Sequence, residues 1–167
     1  MSVFHTAILP LRHLVLLAAC VLLLCACAQA ARHDEFRPYD EKADASAAIA
    51  ARLANNPARK RILLTFGANW CSDSRALESR FQSPVLAELL EREFLVLYID
   101  VGMFHHNLDI IARYGNPIDE GIPSVVLLDP AGNTLFVSHG GLSSADSMSD
   151  AAIMDFFTRL AADGRVD

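Results

Sequence analysis

The sequence predicts an α/β domain whose sheet is mixed, with parallel strands and an antiparallel hairpin at one edge. Two observations carry this. Short apolar runs, at Ile62 to Phe66, Phe94 to Val101 and Ser124 to Leu128, alternate with segments of helical periodicity, the order that builds a parallel sheet with crossover helices. Asp129-Pro130-Ala131-Gly132-Asn133 is then a hairpin turn that sends Thr134 to Ser138 back antiparallel.

Each element has its own reason. Residues 31–44 are polar, carry Pro38 and read as a linker or a loosely docked arm ahead of a domain at 45–167. Ala45 to Asn55 is alanine-rich, with Ile49 and Leu53 at helical spacing, and it stops at Asn56-Pro57. Ile62 to Phe66 is a buried strand. Cys71 to Phe81 is a helix with Leu77 and Phe81 on one face and Arg75, Glu78 and Arg80 on others. Pro84 opens a second helical piece, Val85 to Arg92, since proline fits the first turn. Phe94 to Val101 is apolar almost throughout, the mark of a strand covered on both faces. Asn107 to Tyr114 is a short helix. Ser149 caps a closing helix, Asp150 to Ala162, whose Ile153, Phe156, Phe157 and Leu160 form an apolar stripe.

The first thirty residues differ from the rest. Arg12 precedes the run Leu14 to Leu24, and small residues follow, which is the pattern of a secretory signal. Ala28-Gln29-Ala30 offers a cleavage site before Ala31. Leu24-Cys25-Ala26-Cys27 resembles the bacterial lipobox, in which the cysteine is lipidated and becomes the new N-terminus; Cys20 leaves too short an apolar core ahead of it, so Cys27 is the candidate lipidation site. An uncleaved anchor is the third reading. All three place the domain outside the cytoplasm, in the periplasm or cell envelope, with membrane attachment through an N-terminal lipid in the second. The net charge of -6 and the lack of a basic cluster argue against nucleic acid as a partner.

Chemistry concentrates at Trp70-Cys71-Ser72-Asp73-Ser74, directly after the first apolar strand. A helix start carries unpaired N–H groups and partial positive charge, which favour thiolate, the nucleophilic form of cysteine. Asp73 opposes that effect, and helix capping is its alternative role. Ser74 stands where a second cysteine would close a dithiol pair. The other three cysteines, Cys20, Cys25 and Cys27, lie in the N-terminal apolar stretch, so an internal disulfide or a multi-cysteine metal site is excluded for the domain. His105-His106 with Met103 invites a copper reading, but two exposed loop histidines are the plainer account, and no metal or other cofactor is expected. His139 is read as a surface histidine beside the site.

The motif Trp70-Cys71-Ser72-Asp73-Ser74, the later Gly121-Ile122-Pro123-Ser124 before a strand, and the turn at 129–133 together resemble the thioredoxin-like superfamily, across roughly residues 45–163. The resemblance implies a three-layer α/β/α sandwich with a central mixed sheet, ending in a β-hairpin and a helix. It also implies that Cys71 is the attacking nucleophile, with Ser74 able to donate a hydrogen bond to it. Pro123 takes the position of the family's cis-proline, and Trp70, Ile122 and Pro123 line the substrate groove. Thr65 and Val96 replace the buried acid and its lysine partner that serve the second sulfur in thioredoxin. The expected function is monothiol thiol–disulfide exchange on protein or small thiol substrates, with glutathione as a candidate resolving thiol. The alternative is a non-catalytic peptide-binding or chaperone module.

Overall fold

The computed structural model describes residues 37–166. The signal and lipidation sites expected from the sequence, Cys27 included, lie outside them. The order is α1 (Ala45–Ala54), β1 (Arg61–Gly67), α2 (Ser72–Phe81), α3 (Pro84–Glu93), β2 (Phe94–Asp100), α4 (Leu108–Arg113), β3 (Ser124–Leu128), β4 (Thr134–Val137) and α5 (Asp150–Asp163). Helix starts follow their capping chemistry: Asp44 Oδ1 accepts from Ala47 N–H at 2.9 Å and Ser149 Oγ from Ala152 N–H at 3.1 Å.

The four strands form one mixed sheet in the order β2-β1-β3-β4. β1 and β2 are parallel, with Leu64 opposite Leu97 and Gly67 opposite Asp100. β3 is antiparallel to β1, with Phe66 opposite Ser124, and β4 is antiparallel to β3. The antiparallel part thus begins one strand earlier than a hairpin added to a parallel edge. The register shows why. β2 ends beside Gly67 and β3 begins beside Phe66, so the connection through α4 stays at one end of the sheet and never runs back. β2 also proves to be an edge strand, and its middle residues are half-buried rather than enclosed.

Strand alternation sorts the core into two layers. Ile62, Leu64 and Phe66 of β1 face one side, with Ile49 of α1 and Ile110 and Ile111 of α4. Leu63 faces the other, with Leu77, Phe81, Leu86, Leu90, Ile153, Phe157 and Leu160 from α2, α3 and α5. Phe81 and Phe157 meet edge to face at 5.0 Å. This is the three-layer α/β/α sandwich expected of the chain.

One feature departs from the expected linker at 31–44. The folded unit already begins at Arg37, and Tyr39 is among its most buried side chains, at 1% exposure. The surrounding polar residues hide that one aromatic from a reading based on composition.

Candidate functional site

β1 ends at Gly67, and a tight turn in which Cys71 N–H donates to Ala68 O at 3.1 Å leads into α2. Cys71 is the N-cap of α2, extended at φ −79°, with its side chain making no capping bond. Its thiol donates to Ile122 O at 3.6 Å, and Cys71 is 8% exposed. The Ile122–Pro123 bond is cis. The structure therefore brings Cys71, Ile122 and Pro123 together from positions fifty residues apart. Ile122 and Pro123 are both buried, and the group that meets the sulfur is the Ile122 carbonyl.

Trp70 stands on the outer side. It is 49% exposed, which excludes a core role; its Nε1–H donates to Gly102 O at 2.9 Å, and its ring meets Phe104 edge to face at 5.9 Å. Ser74 points inward and is fully buried. Its Oγ accepts from Ala68 N–H at 3.4 Å and lies within hydrogen-bond reach of the Tyr39 hydroxyl. No hydrogen bond joins it to the Cys71 sulfur in this structure. Asp73 does not cap its helix: Oδ1 accepts from Asp146 N–H at 2.9 Å and ties the 139–147 loop to the start of α2.

Beneath the motif lies a buried polar cluster that the sequence did not announce. Glu78, one turn after Ser74 on the same face of α2, is 1% exposed. The Tyr39 hydroxyl donates to its Oε1 at 3.1 Å, while Oε2 has no hydrogen-bond partner, nor has Thr65 Oγ1. Thr65 and Tyr98 are register partners on β1 and β2, and the Tyr98 hydroxyl acts on the Glu78 carboxyl. Burial pushes the Glu78 carboxyl up to about 8, and the two tyrosine hydroxyls offset only part of that. Burial, then the nearby Glu78 charge, also raises Tyr39 and Tyr98. Gly67 is required here, because a Cβ would run into the Tyr39 ring and the Ser74 hydroxyl. The Tyr39 backbone is clamped to the motif as well: its N–H donates to Asn69 Oδ1 at 3.3 Å, and Asn69 Nδ2–H donates back to its carbonyl at 2.6 Å.

Thr65 and Val96 sit where the sequence places them, without an acid–lysine pair. A buried acid is nevertheless present beneath the motif, supplied by the helix instead of the strand. Helical spacing was the available signal: Ser74 and Glu78 are i, i+4 partners beside Leu77 and Phe81. Glutamate's usual preference for the surface hid it.

The histidines serve the loops. His106 Nδ1 lies 2.7 Å from Asp100 Oδ2, and His105 Nδ1 accepts from Met103 N–H at 3.0 Å. His139 Nδ1 pairs with Asp119 Oδ1 at 2.9 Å, and that hydrogen bond holds the Asp119 carboxyl below its usual range. Among the described residues no group of three or more histidine, cysteine or acidic side chains is placed to hold a metal.

Comparison with known proteins agrees with this architecture. The sequence matches the thioredoxin-like family over residues 42–130. A disulphide isomerase from Xylella fastidiosa Temecula1 is similar at 41% identity and a TM-score of 0.73, over 75% of this chain and 98% of that one. The germline-specific thioredoxin Deadhead of Drosophila melanogaster is 26% identical over 50% of this chain and 71% of its own, with a TM-score of 0.40. The C-terminal domain of Neisseria meningitidis DsbD, in its oxidised form, is 24% identical over 55% and 79%, with a TM-score of 0.43. No curated protein matches.

Proposed function

The chain belongs to the thioredoxin-like family, and from that premise we propose that it is a monothiol thiol–disulfide exchange protein of the cell envelope. One observation carries the reading. Cys71 caps α2 beside the Ile122 carbonyl and cis-Pro123, and it is the free cysteine of the described residues, with Ser74 where a resolving sulfur would stand. The similarity to a protein described as a disulphide isomerase supports the same chemistry.

The steps follow from the sulfur count. Cys71 gives up its proton to solvent, and the thiolate attacks one sulfur of a substrate disulfide. A Cys71–substrate S–S bond forms, the original S–S bond breaks, and the departing thiolate takes up a proton. Ser74 cannot displace the adduct, because a hydroxyl forms no disulfide. An external thiolate, with glutathione as one candidate, must attack the substrate sulfur of the mixed disulfide, so that an S–S bond forms between that thiol and the substrate and Cys71 leaves as a thiolate. Disulfide bonds are exchanged with no net oxidation. Without added thiol, wild type is expected to stop after one equivalent of substrate thiol is released; with thiol, turnover should rise in proportion to its concentration. Sustained turnover in the absence of added thiol would refute the monothiol scheme.

The small exposure of Cys71 favours a second reading, a peptide-binding module that kept the groove and lost turnover. A cysteine inert to a thiol probe at neutral pH would favour it. The envelope location rests on Arg12, the apolar run to Leu24 and Leu24-Cys25-Ala26-Cys27. Among the described residues no helix is long and apolar enough to cross a membrane. N-terminal sequencing is expected to find residues 1–26 or 1–30 removed, and Cys27→Ala should release a lipidated protein from the membrane fraction. A full-length cytoplasmic product would contradict export.

A further inference from the structure

The loop after β2 does something the exchange chemistry does not require. Met103 and Phe104 are 66% and 48% exposed, and Phe104 meets the half-exposed Trp70 ring, directly beside Cys71 in the chain. A short loop would ordinarily turn such side chains inward. This one holds them outward through an unusual backbone, with Gly102, Phe104 and Asn107 all in the left-handed region at φ 53°, 61° and 51°. A phenylalanine is rarely found there. The buried Asp100 carboxylate organises the loop: Oδ2 accepts from Gly102 N–H at 2.8 Å and pairs with His106. Asn107 Nδ2–H donates to Asp100 O at 2.8 Å. The Trp70 bond to Gly102 O joins loop and motif.

The other flank of Cys71 has the opposite character. Because the sheet order is β2-β1-β3-β4, the loop after β2 lies to one side of the β1–α2 motif, and the loops before β3 and after β4 lie to the other. Those loops touch where a Gly121 Cβ would meet Ser143 and a Gly140 Cβ would meet Glu120. They carry Asp119, Glu120 and Asp146, and Asp73 joins them through Asp146. Arg75, four residues past Cys71, is already engaged in an interaction.

We propose that the Trp70–Met103–Phe104 lip and the acidic flank select the substrate: a flexible polypeptide whose cysteine has an apolar side chain on one side and a cationic one on the other. This rests on the exchange reading. Anionic small disulfides, glutathione disulfide among them, are poorer substrates because the acidic flank repels them.

Four peptides test it, each with its cysteine in a mixed disulfide with the chromogenic thiol 2-nitro-5-thiobenzoate, and flanked by Leu/Lys, Ser/Lys, Leu/Glu or Ser/Glu. Release of the chromophore by the full-length protein should be fastest for Leu/Lys, by about tenfold over Ser/Lys and about tenfold over Leu/Glu. The second preference should shrink at high salt. Phe104→Asn, which tolerates the same φ, should remove the preference for Leu. Glu120→Gln with Asp146→Asn should remove the preference for Lys. Trp70 is the chain's single tryptophan, so its emission reports docking of unreactive peptides bearing serine in place of cysteine. Equal rates for all four peptides, or faster exchange with glutathione disulfide than with Leu/Lys, would overturn the proposal and leave the exchange reading standing. If no peptide exchanges, the exchange reading fails, and the emission decides: a shift with Leu/Lys alone upholds the surface, and no shift overturns it.

Discussion

Glu78→Gln is expected to flatten the fall in stability between about pH 4.5 and pH 8, and to leave the variant more stable than the parent at the upper end. The carboxyl is held up to about 8 by burial, from an ordinary 4.5. In the folded state it keeps its proton to about pH 8, whereas in the unfolded chain it loses that proton near 4.5. Between the two values the folded state binds more protons, so stability falls as pH rises. The slope from this one group is about 1.4 kcal/mol per pH unit, and its full contribution is on the order of several kcal/mol. Its contribution is greatest below pH 4.5 and is lost by the time pH passes 8. Glutamine removes the charge yet keeps an Oε1 to accept from Tyr39. Urea unfolding of both proteins at unit steps from pH 5 to 9 checks this, and the difference between them cancels the contributions of the groups the two proteins share. Parallel curves would mean that Glu78 is ionised in the folded state.

Cys71→Ser is expected to abolish exchange, by more than about a hundredfold, because a hydroxyl is neither nucleophilic enough nor able to form the mixed disulfide. The fold should survive. The substitution nearly conserves volume, and the hydroxyl can still donate to Ile122 O, so the cost is about 1–2 kcal/mol. Circular dichroism and a melting curve separate loss of chemistry from loss of structure. Full activity in a folded Cys71→Ser protein would transfer the function from the sulfur to the groove around Trp70 and Pro123.

Much of this site was legible beforehand because its signals are local. A strand running into Trp70-Cys71 fixes where the sulfur sits, and Ile122-Pro123 before a strand locates the backbone that faces it. The antiparallel β1–β3 pairing was not legible, since it depends on which end of the sheet the β2–β3 connection leaves from. Tyr39 and Glu78 were missed for a shared reason. Each is buried through the other, by a hydroxyl–carboxyl bond spanning 39 residues, and neither is placed by its own sequence neighbourhood. The inward turn of Ser74 follows from the same cluster, because Tyr39 fills the space above Gly67 and leaves the serine hydroxyl facing Ala68 N–H. The outward Phe104 depends on a positive φ that no residue type in the loop advertises.

The central claim is that one sulfur carries the chemistry and cannot release its own product. The most direct measurement is peptide-mapping mass spectrometry after the protein is mixed with a peptide disulfide, with samples quenched in acid before and after glutathione is added. The expected result is a single peptide adduct on Cys71 that persists until glutathione is added and then disappears as the peptide leaves in a mixed disulfide with glutathione. An absent adduct at Cys71, or one that decays at the same rate without any added thiol, would contradict the account.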